Sequence, residues 1–142
     1  MTLETLIHQF HARTLPREAW NHRAHLGVAL WTLRRFPIEA ALQELRVGIV
    51  VYNASGGVES GPFSGYHATI TQFFALAVAD FLLHDSNCDD EDELWAQLNE
   101  KWGDKSLIFS FYSRRALFSP ASRAAFAPPD LAPLPFPKMP RS

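Results

Sequence analysis

The sequence lacks the features that mark several classes of protein. It has a single cysteine, Cys88, so an internal disulfide is excluded, and this cysteine usage fits a reducing compartment. Two aspartates follow Cys88 directly, and their negative charge disfavours a reactive thiolate. The net charge is only −2, so the chain lacks the basic surface that nucleic-acid binding requires.

Long apolar runs and targeting signals are lacking as well. The longest apolar run extends from Phe73 to Leu83 and is interrupted by Asp80, well short of the roughly 20 residues that cross a bilayer. No basic segment precedes an apolar block near Met1, which disfavours a secretory signal. We therefore predict a cytoplasmic protein whose partners are neither nucleic acid nor membrane.

Aromatic residues, in contrast, are abundant. They make up 13% of the 142 residues, with eleven Phe and four Trp, which suits a thick helical core or an apolar ligand pocket. The length fits one domain that buries its own core. The aromatic content and the modest charge are also compatible with a homodimer.

Apolar residues recur with a helical period along most of the chain and predict an all-α fold. Proline and glycine limit the helices, because proline cannot continue a helix and glycine often ends one. The β-branched run at 49–51 would also suit a strand, but no partner strand is evident. We predict an up-down bundle of five or six helices in residues 1–127, at about 3–15, 20–35, 37–53, 65–84, 92–102 and 105–119, with a short helix at 121–126.

The segment 128–142 has a different composition. Proline occupies nearly every second position from Pro128 to Pro140, which predicts an extended polyproline-II tail. In the favoured interpretation, Leu131, Leu134 and Phe136 pack this tail on the helical domain. The alternative is a proline motif that recruits an SH3-like partner.

Polar residues are expected to converge at one end of the bundle. Short connections make consecutive helices antiparallel, so the second and fourth helices begin at the same end. His22 and His25 lie in the first turns of the second helix, and Tyr66 and His67 open the fourth. Arg114, in the last long helix, is expected at the same end, where a guanidinium would anchor a carboxylate or phosphate.

Three chemical interpretations of this cluster remain open. His22, His25 and His67 supply three imidazoles, the number of protein ligands common at a catalytic zinc, and imidazole also suits iron. In a metal-free enzyme, His67 would instead act as an acid–base group near pH 7, hydrogen-bonded by Tyr66 or Tyr52 and assisted by Arg114. The third interpretation is structural, because buried histidines at helix starts often bond loop carbonyls.

Four segments carry a family resemblance. His-Arg-Ala-His-Leu (22–26), Gly-Tyr-His-Ala-Thr-Ile-Thr (65–71), Phe-Tyr-Ser-Arg-Arg-Ala-Leu-Phe-Ser (111–119) and Pro-Asp-Leu-Ala-Pro-Leu-Pro (129–135) resemble a family of small, uncharacterised bacterial helical proteins. The resemblance covers roughly residues 10–135 and implies no established activity. A looser likeness is to DinB-like metal-binding helical bundles, which also use three histidines, although their paired-histidine spacing is absent here.

Together these observations predict a helical protein that binds a small, partly apolar molecule beside a histidine cluster. The cluster would hold a zinc or iron ion or carry out acid–base chemistry. The alternative is a non-enzymatic binding, sequestration or interaction protein whose histidines are structural.

Overall fold

A computed structural model describes residues 1–136 of the protein, and the end of the predicted tail, 137–142, lies outside the described residues. Regular structure in residues 1–136 is entirely helical, which confirms the all-α prediction. The five long helices are α1 (Leu3–Ala12), α2 (His22–Arg35), α3 (Ile38–Ser55), α4 (Ala68–His84) and α5 (Glu91–Trp102). Shorter elements are α6 (Arg114–Leu117), α7 (Pro120–Ala124) and the 3₁₀ helices Arg17–Ala19 and Lys105–Ser110.

Side-chain caps fix the starts of α1, α2, α4 and α5, whereas α3 follows Pro37 without one. Thr2 accepts a hydrogen bond from the backbone N–H of Thr5, and Asn21 does the same for Ala24. Asp90 caps α5 by accepting from the N–H groups of Asp92 and Glu93. The α4 cap is unusual, because the acceptor is the imidazole of His67. Helix α4 therefore begins at Ala68, three residues later than the sequence pattern predicts.

Helix α2 lies at the centre of the core and packs against α1, α3, α4 and α5. Its residues Leu26, Val28 and Leu30 are almost fully buried. Gly27 lets α2 approach its neighbours closely, since a Cβ atom there would stand 2.8 Å from Leu6 Cδ2 and 2.9 Å from the indole of Trp95.

The prediction of one continuous sixth helix over 105–119 is wrong. The chain leaves the helical path between the 3₁₀ helix and α6 because the Asp130 carboxylate accepts bonds from the Ser113 N–H (2.8 Å) and hydroxyl (2.7 Å). The backbone N–H of Leu131 also donates to the Phe111 carbonyl at 2.9 Å. These partners are distant in sequence, so the local apolar period could not reveal the break.

Residues 128–136 contain no regular structure and lie against the helices. Leu134 and Phe136 contact the hydrophobic core, and the Phe136 ring centroid is 5.4 Å from that of Phe73 and 5.5 Å from that of Trp102. Within residues 1–136, none of the helices combines the length and the apolar character that crossing a membrane would need.

Candidate functional site

The Gly65–Thr71 segment, which the sequence singles out, fastens the C-terminal part of the chain. The His67 Nδ1 atom accepts a bond from the Ile70 N–H at 3.2 Å, and its Nε2 atom donates to the Leu117 carbonyl at 2.7 Å. This pairing requires a neutral imidazole with its proton on Nε2. Burial lowers the pKa of His67, which keeps the ring neutral.

Thr69 extends this attachment. Its buried hydroxyl donates to the Ser122 carbonyl at 2.7 Å and accepts from the Ala127 N–H at 3.0 Å. A guanidinium N–H of Arg123 donates to the Gly65 carbonyl at 3.1 Å. His67 Nε2 and the Thr69 hydroxyl are therefore bonded to backbone of residues 117–127, and the Gly65 carbonyl is bonded to the Arg123 side chain.

The candidate site is a neighbouring cavity of about 620 Å³ between the starts of α2 and α4 and the 3₁₀ helix Lys105–Ser110. His22 and His25 lie on its wall, and Ile70 contributes from α4. A smaller space of about 40 Å³, lined mainly by aliphatic side chains, adjoins it behind the same two histidines. Aromatic side chains form much of the remaining wall: Trp20, Phe74, Phe109 and Phe118.

Both histidines are held in place by these walls. The His25 ring stacks on Trp20 with 3.8 Å between ring centroids, and His22 meets the Phe74 ring at 4.5 Å, edge to face. His22 Nε2 donates to the Trp102 carbonyl at 2.8 Å, which leaves Nδ1 as an acceptor. Within residues 1–136, His25 forms no side-chain hydrogen bond, so its ring nitrogens remain for a ligand.

The environment keeps both imidazoles neutral. Desolvation, together with smaller effects of the neighbouring His22 and Lys105, lowers the pKa of His25 to about 3. Desolvation also lowers the pKa of His22, against the opposing effect of the bond to Trp102. At neutral pH the two rings therefore act as uncharged hydrogen-bonding groups.

Two cations stand at the mouth of the cavity. Lys105 and Arg114 are exposed there, and the Arg114 guanidinium lies 4.4 Å from the centroid of the Phe109 ring. Within the described part of the chain, the cavity lining includes no Asp or Glu. Asp104 is close enough to influence His22, but its carboxylate accepts from the N–H and hydroxyl of Ser106. The mouth consequently carries net positive charge.

Of the predicted site residues, the structure brings His22, His25 and Arg114 to one cavity. His67 lies behind its wall, bonded to Leu117, and a metal role would require one of its two hydrogen bonds to break. Tyr66 lies apart, on a second cavity beside α3 and α7. In the described range 1–136, no group of three or more His, Cys, Asp or Glu side chains is arranged to hold a metal ion.

Sequence reasoning did not assign Trp20, Phe109 or Lys105 to the site. Trp20 immediately precedes Asn21, the cap of α2, so its position in the sequence could have predicted that it lies close to His25. Phe109 and Lys105 reach the site because the chain turns at 105–110, where the periodicity predicts a straight helix. Neither a known family model, nor a curated protein, nor a solved structure matches the chain.

Proposed function

We propose that the protein binds a small molecule that has an aromatic or other apolar part and one carboxylate. The observation that carries the proposal is the pair of neutral histidines, His22 and His25, held between aromatic rings in a cavity of about 620 Å³. Cavities of this size and apolar character commonly hold small ligands. The proposal keeps the predicted up-down helix order, supported by the joint presence of the α2 and α4 starts at this cavity.

The apolar part of the ligand would lie against Trp20 and Phe74. Aromatic walls favour flat or aliphatic groups through burial of apolar surface and ring contacts. The ring nitrogens of His25 and His22 Nδ1 would direct hydrogen bonds to a polar atom near the middle of the ligand. These few polar groups fix orientation inside a largely apolar space.

The carboxylate would sit at the mouth, beside Lys105 and Arg114. Within residues 1–136 neither side chain forms an ion pair, so neither cation must be released from a protein carboxylate. The guanidinium of Arg114 also offers the paired N–H donors that match the two oxygens of a carboxylate.

The lowered pKa values favour binding over catalysis by these histidines. An efficient general base has a pKa close to the working pH. A pKa of about 3 makes His25 a weak base at neutral pH, although it remains a good hydrogen-bonding group. We therefore propose a binding or sequestration protein and place the acid–base enzyme second.

Calorimetric titration with 3-phenylpropanoate and its neutral analogue 3-phenylpropanol tests the proposal. We expect saturable binding of the carboxylate at one molecule per chain, and about tenfold weaker binding of the alcohol, because one ionic contact is lost. Replacing both Lys105 and Arg114 by Gln should remove this preference, while Arg115→Gln, which changes an exposed arginine outside the cavity, should keep it. Absence of saturable binding for both compounds would contradict the proposal.

The metal-dependent alternative uses His22 and His25 in the same cavity and is tested on the same preparations. Protein purified without a polyhistidine tag would contain close to one zinc or iron per chain, and His25→Ala would lower that content. Metal content far below one per chain, together with unchanged carboxylate binding after chelation, would support the metal-free proposal.

A further inference from the structure

A second cavity, of about 550 Å³, lies between α3, the 56–67 loop and α7. It shares no lining residue with the histidine cavity. Two arginines line it, Arg46 from α3 and Arg123 from α7, together with Tyr66 and Ser60 from the loop. Among residues 1–136 its lining includes no Asp or Glu, so the two positive charges meet no carboxylate side chain on its walls.

Arg123 is held in a defined position. One terminal N–H group donates to the Gly65 carbonyl at 3.1 Å, and the side chain is partly buried. Its Nε atom is buried and has no acceptor within residues 1–136. Across the described range, neither Arg46 nor Arg123 forms an ion pair with a carboxylate. A fixed, partly desolvated guanidinium of this kind is stabilised by an anion.

Two hydroxyl groups add neutral donors. The Ser60 oxygen accepts from the Tyr66 backbone N–H at 3.0 Å, which leaves its own hydrogen to be donated. Burial raises the pKa of the Tyr66 phenol, against the opposing effects of the Arg46 charge and of a hydrogen bond with the Thr71 side chain, so this hydroxyl stays protonated at neutral pH. Gly65 has a φ of +79°, a left-handed backbone conformation that favours glycine, and it makes the turn between the loop and Tyr66.

We propose that the cavity lined by Arg46, Arg123, Tyr66 and Ser60 binds the phosphate of a small phosphomonoester. A phosphate dianion has three terminal oxygens and takes more donors than a carboxylate, in keeping with two guanidiniums and two hydroxyls. Val50, Pro62 and Pro120 form apolar wall beside these donors, where the organic part of the ester would rest. The site is independent of the function proposed for the histidine cavity.

Calorimetric titration with phenyl phosphate at constant ionic strength tests this inference in a protein that carries Lys105→Gln and Arg114→Gln, so that the histidine cavity has lost both of its cations and does not compete for the anion. We expect one site per chain, with tighter binding than inorganic phosphate because the phenyl ring covers apolar wall. Benzoate should bind at this site at least about tenfold more weakly than phenyl phosphate, because it carries less charge and fewer acceptor oxygens. Arg46→Gln should weaken phenyl phosphate about tenfold or more, while Arg115→Gln, which removes the same charge from an exposed position outside the cavity, should leave the affinity unchanged.

Arg46 is exposed, so its replacement should preserve the fold, which circular dichroism checks. Arg123→Gln gives a second test, although it also removes the bond to Gly65. No saturable binding of phenyl phosphate, equal losses from Arg46→Gln and Arg115→Gln, or benzoate binding as tight as phenyl phosphate would each overturn the inference. Loss of phenyl phosphate binding when Arg46→Gln is added to Lys105→Gln and Arg114→Gln, with binding of 3-phenylpropanoate retained by Arg46→Gln alone, would support two separate sites.

Discussion

At the scale of single residues, His25 and His67 illustrate two uses of a neutral imidazole. His67 has both ring nitrogens bonded to backbone groups, while His25 stacks on Trp20 with its nitrogens unbonded within residues 1–136. The sequence placed both residues at helix starts. It could not distinguish their roles, because the Leu117 carbonyl that engages His67 is 50 residues away along the chain.

The lowered pKa of His25 predicts a specific dependence of stability on pH. Above the ordinary histidine pKa of 6.5 the ring is neutral in both states, and between 6.5 and about 3 only the unfolded chain binds a proton there. The free energy of unfolding should therefore fall as pH decreases through this range. One such group contributes at most about 1.4 kcal/mol per pH unit, and partial exposure of His25 reduces this value.

Urea unfolding at several pH values between about 7 and 4 measures this effect. His25→Asn should show a shallower decline than the natural chain. His22 and His67, whose pKa values are also lowered, should maintain part of the decline. His8→Asn, at an exposed position outside the cavity, is the matched control. Parallel curves for His25→Asn and the natural chain would contradict the assignment.

At the scale of helices, local sequence signals predicted much of the structure. Apolar period, Pro37, Gly103 and the capping residues Thr2 and Asn21 place the long helices within a few residues of where they lie. The failure at 105–119 has a tertiary cause, because the Asp130 carboxylate takes the Ser113 N–H that a continuous helix would use. Helix propensity reflects only neighbouring residues, so it gives no sign that Asp130, 17 residues further along the chain, competes for the Ser113 N–H.

Gly27 tests how closely the helices pack. Alanine normally stabilises a helix interior by about 1 kcal/mol relative to glycine. Here the added methyl would lie 2.8 Å from Leu6 and 2.9 Å from Trp95, whose indole N–H is fixed by a 2.8 Å bond to the Arg23 carbonyl. Overpacking of this kind costs about 1–3 kcal/mol, so Gly27→Ala should be destabilising.

Thermal and urea unfolding of Gly27→Ala measure this cost. Gly61→Ala is a suitable control, because a Cβ atom there has no neighbour from residues 1–136 within 4 Å. The control should change the free energy of unfolding by less than about 0.5 kcal/mol. A Gly27→Ala protein as stable as the natural chain would show that α1 or α5 can shift outward without loss.

At the scale of the whole molecule, the sequence predicted that the starts of α2 and α4 converge, and His22 and Ile70 do line one cavity. It did not separate Tyr66 from the histidines, because adjacent residues at a helix start can face different neighbours. Tyr66 faces the arginine cavity, whereas His67 turns towards Leu117. The different directions of Tyr66 and His67 depend on the positions of α6 and α7. The boundaries of these two helices depend in turn on contacts between residues that are distant in sequence.

Deletion of residues 128–142 should lower the stability of the whole domain. The deletion removes Asp130, which bonds Ser113, and Phe136, which contacts Phe73 and Trp102. Loss of these contacts exposes apolar surface and frees the turn before α6, so the melting temperature should fall by several degrees. Differential scanning calorimetry measures the change.

Leu131→Ala is a milder control, since that side chain is 58% exposed. It should leave the melting temperature nearly unchanged. An unchanged melting temperature in the deletion variant, combined with loss of a co-purifying partner, would instead favour the recruitment interpretation of the proline-rich tail.

The attachment of residues 117–127 to the α4 start has a consequence for synthesis on the ribosome. The N-terminal part of the chain leaves the exit tunnel first. His67 and Thr69 therefore emerge about fifty residues before the carbonyl groups to which they donate. During that interval the first turn of α4 keeps unsatisfied polar groups and cannot be buried without cost. Nascent chains that end before Leu117 should therefore remain sensitive to protease near this turn, and resistance should appear once residues 117–127 have emerged.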